Sequence, residues 1–116
     1  LENAYTVTFT RDPNDPELDH WNDKLTAIAP EVRLTPYSMW GLTGAQVVAH
    51  ALELAGRDLT RESFIKAMQS MRDFQPDTIF GPINYYPDDH EGNRTGMFQK
   101  LHNGQQVDVG LEYKKF

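Results

Sequence analysis

Four histidines, His20, His50, His90 and His102, are the first side chains here that could hold a metal or move a proton. No two of them show the His-x-x-x-His spacing that turns both imidazoles toward one ion from a single helical face. His50 and Glu53 stand three apart in a helical stretch, where a solvated surface pair accounts for them. The run Asp88-Asp89-His90-Glu91 is rich in ligand atoms but lacks the alternating oxygen donors and central glycine of a calcium loop. It reads as a solvated connection. Zero cysteines exclude disulfides, thiol nucleophiles and thiolate metal sites. A chain without cysteine is also compatible with an oxidising compartment.

Nucleophile and phosphate motifs are missing too. There is no Gly-x-Ser-x-Gly elbow, and Gly41-Leu42-Thr43-Gly44 is no phosphate loop, because it has no lysine and falls inside a helical pattern. Small residues there suit close packing. Asn93-Arg94-Thr95 matches a glycosylation acceptor, a short pattern that recurs by chance. Nothing in this inventory supports catalysis, and no cofactor is called for. What remains is an aromatic pair, Tyr37 and Trp40, at the start of a helix with Met39 between them. At helical spacing such rings serve as core. The functional alternative is that Tyr37 lines a ligand cleft, its ring burying apolar surface and its hydroxyl offering one polar handle.

Positioning these residues falls to a chain of 116 residues, one small domain's length. Charged residues at 24% and hydrophobic ones at 39% place it with globular rather than disordered chains. Seventeen acidic side chains against eleven basic ones leave a formal charge of −6. With no local lysine and arginine cluster, that charge argues against nucleic acid and anionic lipid as partners. Apolar runs fall far short of the roughly 20 residues a bilayer span needs. The chain opens on Leu1 with no basic-then-apolar leader pattern, so it is expected to begin inside a longer sequence.

Alternation over residues 4–9 predicts a strand, with Tyr5, Val7 and Phe9 on one side and Ala4, Thr6 and Thr8 on the other. Asp15 and Pro16 then suit a helix start, as cap and first helical residue. Leu18, Trp21, Leu25 and Ile28 continue as one apolar stripe until Pro30. A second helix is expected over roughly 38–55, with Trp40, Val47, Val48, Ala51, Leu54 and Ala55 on one face and Gly56 as its stop. A third opens at Thr60 with Glu62 in its first turn, and Leu59 is placed to staple onto Phe64. Its stripe is Phe64, Ile65, Met68 and Met71. The period then changes to two. Thr78–Tyr86 reads as a strand, and 95–102 and 105–113 as a hairpin turning at Asn103-Gly104. Val107, Val109, Leu111 and Tyr113 would form its inward face. The order is strand, three helices, three strands: an α/β chain ending in a hairpin.

Taken in order, several of these segments resemble the last third of type 1 periplasmic solute-binding proteins of ABC transporters, of the branched-chain amino-acid receptor kind. The likeness is carried by Tyr37-Ser38-Met39-Trp40-Gly41, Ala51-Leu52-Glu53-Leu54-Ala55-Gly56 and Leu59-Thr60-Arg61-Glu62-Ser63. It continues through Met71-Arg72-Asp73-Phe74, Phe80-Gly81-Pro82-Ile83-Asn84-Tyr85, Pro87-Asp88-Asp89-His90, a Gln99 strand and the Asn103-Gly104 hairpin. The bulky Trp40 departs from many members, which carry a smaller residue there.

The resemblance implies two lobes with a solute between them, and loading followed by delivery to an ABC permease from the periplasm. It assigns residues 10–97 mostly to the first lobe and 98–116 to the return toward the second. Tyr37 is the ligand residue it carries over, and Trp40 a second. The implied ligand is a small amino acid, an amide or an aromatic carboxylate. A ligand-sensing domain of a receptor or regulator is the alternative, and a hydrolase fragment finds no residue support. Because the lobe that these segments resemble has a central parallel sheet of which this chain supplies only a few strands, Trp21, Leu25, Ile28, Trp40, Val47, Val48, Phe64, Ile65 and Met68 are expected to seek cover. A homo-oligomer is the expected result.

Overall fold

The computed structural model of the protein describes the backbone of residues 2–114 and the side chains of residues 2–110. Three strands and three helices give the expected mixed α/β chain, split into a helical body and a projecting sheet. The radius of gyration is 16.5 Å and the extents are 53 × 40 × 17 Å, against a radius of about 13–14 Å for a compact chain of this length. The excess comes from the sheet, which stands out as an arm.

Strand β1 (Tyr5–Thr8) leads directly into the body. Phe9 accepts the amide N–H of Phe80 at 3.0 Å, and Arg11 donates its own to Thr78 at 3.1 Å. A 3₁₀ turn over Pro16–Leu18 follows, capped as expected by Asp15, whose carboxylate accepts the Glu17 N–H at 3.0 Å. Helix α1 (Asp19–Ile28) carries Trp21 and Leu25 against buried Leu18, Leu34 and Met39. Its stripe ends one turn early, since Ile28 is 86% exposed. The Trp21 indole N–H donates to the Asp77 carboxylate at 2.7 Å and pins α1 to the far side of the body.

Helix α2 (Pro36–Ala55) begins two residues earlier than the pattern suggested. Thr35 and Ser38 cap each other's backbone N–H reciprocally, and Pro36 occupies the first turn without a wasted donor. Gly56, at φ 76°, closes it as predicted. The buried face is rotated from the expected one: Met39, Thr43, Val47 and Ala51, each four apart, point inward. Val48 and Leu54, expected inside, are exposed, and Trp40 is half-exposed. Thr43 satisfies itself inside the core by donating to the Met39 carbonyl at 2.7 Å. Its one proton being spent there, it accepts from Thr78 at 2.6 Å.

Helix α3 (Arg61–Ser70) starts at the Thr60 cap, closed into a box by Ser63. Leu59 and Phe64 line one groove beside it, but Leu59 is half-exposed rather than a sealed staple. Phe64, Met68 and Met71 pack inward with Ala67, whereas Ile65, expected with them, is exposed. The main core joins Val47 and Ala51 of α2 to Met71, Ile79 and Ile83.

The segment Thr78–Tyr86 is not a strand. Ile79 bridges Thr10, Ile83 bridges both Phe74 and Asn93, and Tyr86 bridges Asp89, each an isolated contact. Pro82 lacks the N–H a ladder needs, and Gly81 turns the chain at φ 72°. The same residues are nevertheless central, with Thr78, Ile79 and Ile83 buried. Their apolar pattern was core rather than sheet.

Strands β2 (Thr95–His102) and β3 (Gln105–Lys114) complete an antiparallel sheet in the order β1-β2-β3. Asn103 and Gly104 turn it with φ of 51° and 76°, as the sequence demanded. The β2–β3 register shifts between Met97 and Gln99. Among the described elements the strands of this sheet make their main contacts with one another. Val107 is therefore exposed instead of inward, while Leu111 and Tyr113 lie outside the described side chains.

Candidate functional site

The four histidines stay apart, each with its own neighbours. His20 lies 3.2 Å from Asp77, His50 stacks on Phe74 with ring centroids 4.3 Å apart, His90 meets Gln69, and His102 faces Glu2 at 2.8 Å. Among the described residues no three His, Asp or Glu side chains converge on a possible ion. The acidic run is a closed turn: Asp89 bonds Arg94 and accepts the Glu91 N–H at 3.0 Å. Asn93 is structural as well. Its amide donates to the Phe80 carbonyl at 3.0 Å and its oxygen accepts the Thr95 N–H at 2.9 Å.

A recess of about 550 Å³ lies between arm and body. Its arm wall is Thr8, Gln99, Gln105 and Gln106; its body wall is Thr10, Arg11, Asp12, Pro13, Asn14 and Pro36. Chain alternation builds the arm wall, because Thr8 lies on the face of β1 opposite Val7 and Phe9. The Asn103-Gly104 turn then brings Gln105 and Gln106 back alongside β2. Helix α2 supplies the corner at Pro36, held by the Thr35–Ser38 cap.

Hydroxyl and carboxamide groups dominate this lining, so it can offer both donors and acceptors. Arg11 is already engaged, bonding Asp15 at 2.5 Å and Glu17 at 2.6 Å. The Glu17 and Asp15 carboxylates raise the affinity of its guanidinium for the proton. Asp15 in turn is held below the usual carboxylate range, first by the Glu17 backbone N–H and then by Arg11. The Arg11 charge is thus engaged within the protein, while Asp12, which accepts from the Asn14 backbone and side-chain amides, adds a carboxylate to the hydroxyl and carboxamide lining.

Tyr37 follows Pro36 and is 88% exposed, so it is no part of the core of this chain. Trp40, one turn later, is 45% exposed and meets the Phe9 ring at 6.5 Å between centroids, tilted by 48°. The two aromatic residues thus differ in setting: one is free of the core, the other leans on the base of the arm.

The sequence profile of the periplasmic binding proteins matches residues 1–106. The chain belongs to that family. Of solved structures, one described as a branched chain amino acid ABC transporter from Thermus thermophilus with bound valine superposes on 98% of this chain, with a TM-score of 0.80 at 17% identity. The chain spans 34% of that structure's length. No curated protein matches the chain. At that identity the structural likeness establishes the fold, that of part of a type 1 periplasmic binding protein.

Within this periplasmic binding protein chain, the residues of the recess escaped sequence reading. Thr8, Arg11, Gln99 and Gln106 are common surface types, scattered across the length of the chain. One signal was available, the threonine side of the β1 alternation, a polar face too regular for a solvated loop. Among the described residues no helix is long and apolar enough to cross a membrane.

Proposed function

We propose that this chain is part of the solute-binding component of an ABC importer, working in the periplasm. It helps capture a small amino acid, an amide or an aromatic carboxylate and present it to the permease. The observation carrying this reading is the family match over residues 1–106. The recess between arm and body supports it, being a polar concavity at the junction of two differently built regions. In this reading residues 10–97 belong mostly to one lobe and 98–116 return toward the other. Tyr37 supplies an aromatic wall to the solute, with Trp40 one turn behind it. The role is binding rather than turnover.

One lobe offers part of a two-walled cleft, so the 116-residue chain is expected to bind such solutes only weakly. Millimolar dissociation corresponds to about 4 kcal/mol, and calorimetry on the chain checks it. Micromolar affinity for an amino acid would show that the site is already whole. In a longer protein containing both lobes, Tyr37→Ala should weaken solute binding with little change in melting temperature. Intact affinity in that variant removes Tyr37 from the site. Exposed Ile28, Trp40, Val48, Leu52 and Ile65 also favour self-association of the isolated chain. Light scattering that reports a monomer at micromolar concentration counts against that.

A further inference from the structure

The sheet joins the body at two crossings, Phe9–Arg11 and Thr95–Gly96, the first held by the Phe80 N–H on the Phe9 carbonyl and the Arg11 N–H on the Thr78 carbonyl. The last registered pair of β1 and β2 is Thr8 with Met97, and one residue further along each chain Phe9 comes close to Gly96. A Cβ added at Gly96 would lie 2.9 Å from Val7 Cγ1, 3.1 Å from Phe9 Cε1 and 3.2 Å from Phe9 Cδ1. The Phe9 ring therefore rests on bare backbone, a place where glycine admits a close neighbour. Its remaining ring contact is Trp40 of α2, at 6.5 Å and 48°, within the range of favourable aromatic pairing.

We infer that Trp40 is a positioning residue: through Phe9, seated on Gly96, it sets the angle of the hairpin arm on the helical body. The consequence is the width of the recess, whose walls stand on the two parts that this contact joins. That consequence rests on the recess being part of the solute site; the positioning itself does not. The pair is half-exposed, Phe9 at 40% and Trp40 at 45%, and joins the base of the arm to α2. With Trp40 removed, Phe9 loses its support on the body side and the arm is free to swing about the crossings.

The absence of cysteine allows a direct measurement. Spin labels at Asn14→Cys and Gln106→Cys, on opposite walls of the recess, report the separation of arm and body by electron double resonance. Labelled chain is diluted into unlabelled chain so that only distances within one molecule are read. No solute is added. Trp40→Ala and Phe9→Ala should each shift the distribution to longer distances and broaden it. The double variant should do no more than either single one, since the two act as a unit. Trp40→Phe should restore most of the native distribution. Val48→Ala, an exposed apolar residue two turns along the same helix, should leave it unchanged.

An unshifted distribution in Trp40→Ala overturns the inference, as does a shift equal to that in Val48→Ala. Gly96→Ala should also move the distribution by displacing Phe9. If that variant does not fold, the tryptophan series decides alone. Solute titrations on the unlabelled, cysteine-free wild-type sequence within a longer protein containing both lobes address the ligand reading separately: a shifted distribution in Trp40→Ala with no solute bound by that longer protein sinks the site and leaves the positioning intact.

Discussion

The helical body and the hairpin arm spend their apolar residues differently. In the body, Leu18, Met39, Met71 and Ile79 are almost wholly excluded from solvent, and four segments distant in sequence meet around them. In the arm, Tyr5 and Val107 alternate as a strand requires yet are exposed, because the sheet is a single layer. A two-layer packing is what turns a pattern into stability. Among the described residues the body has its second layer, and the arm does not. The recess lies where one kind of architecture passes into the other.

The largest test of that contrast is a pair of truncations. Met71→Ala should cost about 2–5 kcal/mol, as burial without collapse predicts. Val107→Ala in the arm should cost no more than about 0.5 kcal/mol. Urea unfolding measures both, and equal costs would erase the distinction between the two regions.

A smaller effect probes the seam. Gly81 has φ of 72°, and a Cβ there would fall 2.3 Å from Thr95, the first residue of β2. Gly81→Ala should destabilise the protein by about 1–3 kcal/mol through overpacking and backbone strain. Thermal unfolding gives the value. Gly104→Ala is the comparison in the arm, where no side chain lies within 4 Å of the added group and only the positive φ resists it. It should cost less than Gly81→Ala.

The smallest effect is titratable. Asp15 is held below its ordinary range, so its ionised form is favoured by folding. Its contribution is complete above the ordinary carboxylate value of about 4 and is lost as pH falls through the lowered one. The melting-temperature gap between wild type and Asp15→Asn should therefore be largest near neutrality and close as pH drops below about 4. A gap independent of pH would mean that the cap, and not the charge, is what Asp15 supplies to the Arg11 corner.

Local chemistry was legible wherever the local chain supplied both partners. Asp15 with Pro16, Thr60, Gly56 and Asn103-Gly104 were readable because a cap, a stop or a turn is completed within a few residues. Faces were less so. On α2 the apolar residues form a broad band, and the choice between the Val48 side and the Met39–Thr43–Val47–Ala51 side depends on what lies opposite. Thr78–Tyr86 misled for the same reason, since β-like composition states a wish for burial and not a pairing partner.

The sequence by itself determined the caps at Asp15 and Thr60, the stop at Gly56 and the turn at Asn103-Gly104, that the chain carries helices and a hairpin, and which family pattern it follows. Those properties rest on backbone donors, side-chain volumes and turn preferences acting over one or two turns. Tertiary structure alone decided that Thr8, Arg11, Gln99 and Gln106 share one recess, that Tyr37 stands free of the core, and that Phe9 lies between Gly96 and Trp40. Across the chain those contacts reach from 31 positions, Phe9 to Trp40, to 98, Thr8 to Gln106. They follow from the crossing of β1 and β2 into the body, a geometry that no stretch of a few residues encodes.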